Sequence, residues 1–281
     1  MKKISLISVL IMIAAVVFQS CEQVENTPKG KYADGVFITN EGAFQQGNGS
    51  VSFYSVQGDT VSNYIFEKAN GRTLGDIVQS LTFVDDKAYI CVNASNKIEI
   101  ANAEDFTEIG VIDNVAGVRY LKALNAQKAY ASAWGDGGQV KVIDLTINTV
   151  TKSINVGNGP ENMAIISDKL YVANSGGFTE DNTISVVDTE NDNILKTITL
   201  DGDNPTDLLV DNNDNLWVLC SGKTIFDANW VPIDHTAAKL IKINTTTDEV
   251  GQSVILSQNE HPKNLELSTD KFINFEILLW F

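Results

Sequence analysis

Hydrophobic and polar positions divide this chain into two regimes. From Ile4 to Phe18 every position but Ser5 and Ser8 is apolar. Fifteen such residues are too few for a bilayer-spanning helix. They suit the core of an export signal, led by the basic pair Lys2 and Lys3. From about residue 34 the chain turns to short runs rich in Val, Ile, Thr and aromatics, broken by Asn, Asp and Gly. Stretches such as Thr183-Ile-Ser-Val-Val-Asp188 alternate, or are apolar on both faces, which predicts strands.

The strands recur in a fixed order. Lys169-Leu-Tyr-Val-Ala-Asn174, Asn182 to Asp188 and Ile194 to Leu200 close at Asn204-Pro205. One unit earlier, Lys128-Ala-Tyr-Ala-Ser132, Gln139 to Asp144 and Val150 to Val156 close at Gly159-Pro160. Before that come Lys87-Ala-Tyr-Ile-Cys91, Lys97 to Ala101 and Glu108 to Ile112. The anchor aromatics Phe37, Tyr89, Tyr130, Tyr171 and Trp217 are spaced 52, 41, 41 and 46 residues apart. That period, with four short strands per unit, predicts an all-β fold, a β-propeller of four-stranded blades. Asp144, Asp188 and Asn244 are expected to hold the turn after each third strand. The count is about five blades and part of a sixth. From Lys271 the expected second strand gives way to Lys271-Phe-Ile-Asn-Phe-Glu-Ile-Leu-Leu-Trp-Phe281, so an array incomplete at its C-terminal end is expected.

Phe18-Gln19-Ser20-Cys21, at the end of the apolar run, resembles the lipobox of bacterial lipoproteins. The resemblance implies a signal peptide over 1–20 and lipidation of Cys21; the polar residues that follow read as a tether over 21–33, and the repeat places the propeller, incomplete at its C-terminal end, over 34–281. Two or more acyl chains would hold the protein at a membrane without spanning it. Glu22 and Glu25, just after the cysteine, resemble the surface-export signal of Bacteroidetes lipoproteins. Cys91 and Cys220 fall inside strands of different units and are expected as buried free thiols.

Several stretches resemble Bacteroidetes cell-surface propeller lipoproteins related to the YncE-like family. They are Ile38 to Phe53, Asn70-Gly-Arg-Thr-Leu-Gly-Asp76 with Val78-Gln-Ser-Leu81, and Leu216-Trp-Val-Leu-Cys-Ser-Gly222. The resemblance covers nearly all of residues 34 to 270 and implies a seven-bladed ring. It also implies the outer-membrane surface, where some members capture cobalamin and pass it to a TonB-dependent transporter.

Charge and chemistry narrow the function. The net charge of -16 repels phosphate backbones and argues against a nucleic-acid partner. There is no Gly-x-Ser-x-Gly elbow or phosphate-binding loop, and His235 and His261 are the only histidines. His261 reads first as a turn residue and His235 as a loop residue. No cofactor, no metal and no catalytic residue is expected. The acidic turns at Asp201–Asp207 and Asp211–Asn215 read as ordinary hairpins.

Binding has better candidates. In a propeller, the loops from strand two to three and from strand four to one converge on one face. Here they carry Asn40, Glu41, Phe44 and Gln45; Asn93 and Asn96; Trp134 and Asp136; Asn174, Phe178 and Glu180; and Trp230 and His235. An aromatic with polar neighbours in most units suits a large amphipathic ligand. The first expectation is a surface lipoprotein that binds a nutrient, cobalamin among the candidates, beside a TonB-dependent transporter. A protein-interaction scaffold and a propeller lactonase or hydrolase stand as alternatives.

Overall fold

The computed structural model describes residues 30–211, 213–267 and 273–274. The signal segment, Cys21, most of the tether and most of the run from Lys271 lie outside the described residues. A three-stranded sheet comes first: β1 (Gly35–Asn40), β2 (Ser50–Ser55) and β3 (Thr60–Ser62). The helix α1 (Ile65–Asn70) leads out of it. Four four-stranded antiparallel sheets follow. They are β4 to β7 (Val78–Val84, Lys87–Val92, Lys97–Asn102, Glu108–Ile112) and β8 to β11 (Val118–Ala123, Lys128–Ala133, Gln139–Asp144, Thr149–Asn155). Next come β12 to β15 (Pro160–Ile166, Lys169–Asn174, Thr183–Asp188, Asn193–Thr199). The fifth sheet holds β16 (Pro205–Val210), β17 (Leu216–Cys220), β20 (Ala238–Asn244) and β21 (Glu249–Ser257). A hairpin, β18 (Thr224–Phe226) and β19 (Pro232–His235), is inserted between β17 and β20. A last short pair, β22 (Glu266–Leu267) and β23 (Ile273–Asn274), begins a further unit.

Turn chemistry sets the strand ends. Asn102, Asp144, Asp188 and Asn244 each end a third strand. Each side-chain oxygen accepts the amide of the residue two further on, at 2.7, 2.8, 2.7 and 2.9 Å. Four residues after each of them the backbone is left-handed, at Phe106, Asn148, Asp192 and Asp248. The five-residue turn is thus written twice per unit, once in an Asx side chain and once in a positive φ.

Packing follows the period of two. On β5, Tyr89 and Cys91 join the core shared with Ala129, Ala131 and Ala133 of the next sheet. Ala88, Ile90 and Val92 point the other way, onto Val51, Phe53, Ile65 and Phe66. The second strands β5, β9 and β13 are therefore buried on both faces, with a tyrosine ring on one side and aliphatic residues on the other. The same exchange joins Tyr130 to Leu170 and Val172, and Tyr171 to Leu216 and Val218. Phe37 joins its own sheet to the next by contacts with Phe53, Phe83 and Phe106. Cys91 and Cys220 are free and buried, and burial pushes each thiol up to about 12.

The recurring Lys-x-Tyr of the second strand clamps the following sheet. The Tyr130 hydroxyl donates to Asp192 at 2.7 Å, and Lys128 pairs with the same carboxylate at 2.8 Å. One unit on, Tyr171 and Lys169 hold Asp248 at 2.6 and 2.7 Å. Asn148 occupies the matching turn position in the third sheet, and its side-chain oxygen is buried without a hydrogen-bond partner among the described residues. Replacing Asp248 by alanine leaves the Tyr171 hydroxyl and Lys169 only the Thr245 carbonyl, at 3.3 and 3.1 Å, to share, so urea denaturation should register a loss of about 1–2 kcal/mol.

Candidate functional site

The first strands gather along the inside of the array, where β4 meets β8, β8 meets β12 and β12 meets β16. Each opens with a bulge, between Val78 and Ser80, Val118 and Leu121, Pro160 and Met163, and Pro205 and Asp207. A bulge turns the extra residue out of the ladder. The residue after each opening Val or Pro is polar: Gln79, Arg119, Glu161 and Thr206.

The connecting loops at this end are bound into a belt. At the start of each strand-two loop, two successive amides donate to two carbonyls just before the first strand. The pairs are Asn93 and Ala94 to Ile77 and Asp76, and Trp134 and Gly135 to Gly117 and Ala116. They continue with Ser175 and Gly176 to Gly159 and Asn158, and Ser221 and Gly222 to Asn204 and Asp203. The residue before the first strand is left-handed in all four units, as Ile77, Gly117, Gly159 and Asn204. The two loop classes therefore do meet on one face.

Arg119 is the hub of that face. Its guanidinium forks onto Glu161, with Nε to Oε2 and Nη2 to Oε1 both at 3.1 Å, and also donates to Gln79. It lies 4.3 Å over the Trp134 ring, a cation–π distance. Trp134 in turn meets Phe178 edge-to-face at 5.2 Å and 82°. Phe178 is 96% exposed, and the Trp134 indole N–H has no hydrogen-bond partner among the described residues. The result is an exposed phenyl ring propped on a half-buried indole, with a paired guanidinium behind it.

Burial dominates the electrostatics here. It raises the Glu161 carboxyl above its ordinary value, against the pull of Arg119 and Lys263. It raises Asp207 likewise, although Leu265 and Asn162 donate to that carboxylate. Burial pushes Tyr120 up to about 12, and Glu161 adds to the shift.

The other sequence-named residues divide into exposed and structural groups. Phe44 is 68% and Trp230 81% exposed, each in a different loop from the Phe178 ring. Trp230 packs against Phe226 of its own hairpin at 6.0 Å. Asn40 donates to Ser52 at 3.0 Å, and the buried Asn174 donates to Thr183 and Ser185 at 3.0 Å. Both hold their own sheets. The Gln45 amide donates to Asp76, and the Glu41 carbonyl accepts the Val78 amide at 3.2 Å. Asn93 donates to the Val118 carbonyl, and Asn96 accepts the Gly117 amide, both at 2.9 Å. Asp136 is left-handed and lies 3.7 Å from Lys141, while Glu180 pairs with Lys223 at 2.7 Å. His235 meets His261, with Nδ1 and Nε2 2.9 Å apart. The acidic turns are spent on turn bonds: Asp211 accepts from Asn213, Asn215 and Trp217, and Asp201 pairs with Lys239. Gln79, Arg119 and Glu161 were not among the residues singled out from sequence. Aligning the units on the residue after Val78, Val118 and Pro160 is the signal that finds them.

Solved structures share this architecture. The WD40 β-propeller domain of Doa1 aligns with TM-score 0.57 and 13% identity, over 79% of this chain and 67% of that one. Sqt1 of Saccharomyces cerevisiae aligns at 0.60 and 14%, over 83% and 61%. Hydrazine synthase of Kuenenia stuttgartiensis aligns at 0.59 and 15%, over 72% and 57%. The chain thus spans between 57% and 67% of the length of these structures, and the likeness is one of fold: a β-propeller of four-stranded sheets. No curated protein matches the chain. A family model described as a domain of unknown function, DUF5074, matches residues 34–271, and the chain belongs to that family.

Proposed function

We propose that this chain is a ligand-binding module of the cell envelope and not an enzyme. It is anchored through Cys21 at the outer-membrane surface and works beside a TonB-dependent transporter. The carrying observation is the Phe178 ring, held almost wholly in solvent by Trp134 next to the Arg119–Glu161 pair. An apolar ring beside fixed polar groups suits a broad amphipathic ligand. The likeness of Ile38–Phe53 and Asn70–Leu81 to YncE-like surface lipoproteins makes a corrinoid the first probe. Quenching of tryptophan fluorescence by cobalamin is the direct test. Phe178→Ala should weaken binding about tenfold or more while moving stability by no more than about 0.5 kcal/mol. Absence of binding by cobalamin and related tetrapyrroles retires the corrinoid. Ligand binding untouched by Phe178→Ala retires this site.

A second reading rests on a separate observation. The β18–β19 hairpin exposes Phe226, Trp230, Val231 and Ile233 together. Such a patch suits a protein partner. Pull-down of a transporter by the full chain, lost on Trp230→Ser without effect on small-ligand binding, would favour the scaffold.

A further inference from the structure

We infer that Thr224, His235 and His261 form a binding site for a late first-row divalent cation, of the copper(II), nickel(II) or zinc(II) class. The three residues come from separate segments: Thr224 and His235 from the two strands of the inserted hairpin, and His261 from the connection after β21. His235 Nδ1 and His261 Nε2 are 2.9 Å apart, and the Thr224 hydroxyl lies 3.3 and 3.2 Å from them. Three donor atoms thus stand at the corners of a nearly regular triangle.

The size of that triangle is what a metal ion needs. With metal–nitrogen bonds of about 2.05 Å, the 2.9 Å separation gives a cis N–metal–N angle of about 90°. That angle belongs to square or octahedral coordination, and a small opening of the pair reaches the tetrahedral angle. The hydroxyl sits where it can ligate weakly or hold a metal-bound water.

The second ring nitrogen of His261 supports the same reading. His261 Nδ1 lies 2.7 Å from the Ser221 carbonyl oxygen, which can only accept, so Nδ1 carries the proton. Nε2 is left as a lone pair aimed at His235 and Thr224. A backbone carbonyl holding the outer nitrogen of an imidazole is the arrangement that orients metal-ligating histidines. Without metal, His235 Nδ1–H donates to that lone pair. With metal, the proton of His235 moves to its Nε2 and no net proton is lost. The site contains no group of three or more His, Cys, Asp or Glu, and such groups are absent among the described residues. It is therefore a two-imidazole site, completed by the hydroxyl and by solvent. The flanking Lys223 does not oppose the cation strongly, because Glu180 and Asp203 offset its charge. His261 also stands where earlier units carry the left-handed Gly159 and Asn204, so the place that supplies a turn elsewhere supplies a side chain here.

The test is a titration of the untagged, chelator-stripped full chain with copper(II) and zinc(II) chlorides, followed by calorimetry. One equivalent should bind per chain. His235→Gln and His261→Gln should each weaken binding at least about tenfold, and Thr224→Val should weaken it less. Copper(II) paramagnetic resonance on the unaltered chain gives a readout that needs no variant, and hyperfine coupling to two imidazole nitrogens is expected. Failure of the unaltered chain to bind, or copper without imidazole coupling, overturns the assignment. So does binding of equal strength and stoichiometry in both histidine variants.

Discussion

Replacing Arg72 by methionine is expected to destabilise the protein by about 3 kcal/mol, read as a lower denaturation midpoint at unchanged slope. Glu99 lies at the centre of a strand with no exposed surface. Arg72 reaches it with two nitrogens, Nη2 to Oε1 and Nη1 to Oε2, and Lys97 contacts Oε2 at 2.7 Å. A carboxylate taken out of water costs several kcal/mol unless partners offset the loss, and removing one partner of such a pair typically costs about 3–5 kcal/mol. Lys97 stays behind in the variant, which places the effect at the low end of that range. Arg72 also pairs with Glu108 at 2.8 Å, but that carboxylate is 43% exposed. Glu108→Ala should therefore cost less than about 1 kcal/mol. The double change Arg72→Met with Glu99→Leu should recover most of the loss, because the fully buried carboxylate is then gone and Lys97, whose side chain is 21% exposed, can turn its ammonium to solvent. An uncorrected loss in the double variant would mean that Arg72 acts by packing on Phe66, over whose ring its guanidinium lies at 4.9 Å.

This pair also explains a stretch that the sequence made conspicuous for another reason. Asn70-Gly-Arg-Thr-Leu-Gly-Asp76 carries the family likeness, and each of its distinctive groups has a structural task. Asn70 accepts the Glu108 amide and donates to Phe66 and Phe106, and Gly71 ends α1 in the left-handed region. Asp76 accepts the Gln45 amide while its own amide donates to Ser95. The segment joins the first sheet to the second.

Strand order, the anchor aromatics and the Asx turns were legible because each is local. A period of two, a Lys-x-Tyr and an Asp at a strand end can be read within six residues. The Arg119 hub was not legible in that way. Gln79, Arg119 and Glu161 lie 40 and 42 residues apart, and a bulge turns them out of the phase that the alternation predicts. Trp134 and Phe178 were readable as loop aromatics, but their contact depends on how two loops are held together across 44 residues. His261 read as a turn residue because Pro262 repeats the Pro of earlier units. Only the hairpin insertion, folded back, puts His235 beside it. Asn40 and Asn174 are ambiguous for the opposite reason: a loop-edge asparagine looks the same in sequence whether it faces a ligand or, as each does here, donates to a serine of its own sheet.

What fixes the two loops is a contact between glycines, and it sets the second large effect. Gly159→Ala should destabilise the protein by about 3 kcal/mol and abolish binding at the Phe178 ring, although residue 159 presents no side chain to a ligand. Gly159 has φ +56°, and a Cβ there would lie 2.0 Å from the Gly177 amide nitrogen and 2.5 Å from its Cα. Both are backbone atoms, so no rotamer change relieves the overlap. The loop carrying Gly177 must move, and it carries Phe178 away from Trp134. Gly117 provides the control. It occupies the same place one unit earlier with φ +65°, but its nearest neighbour, the Gly135 amide nitrogen, would lie at 3.1 Å. Gly117→Ala meets the left-handed penalty of about 1 kcal/mol and only a mild crowding. The difference between the two variants, measured by denaturation and by ligand titration side by side, separates backbone conformation from space. Equal losses of stability would mean that the positive φ alone sets the need for glycine. A much larger loss at Gly159, together with lost binding there alone, would mean that the glycine–glycine contact is what holds the aromatic pair in register.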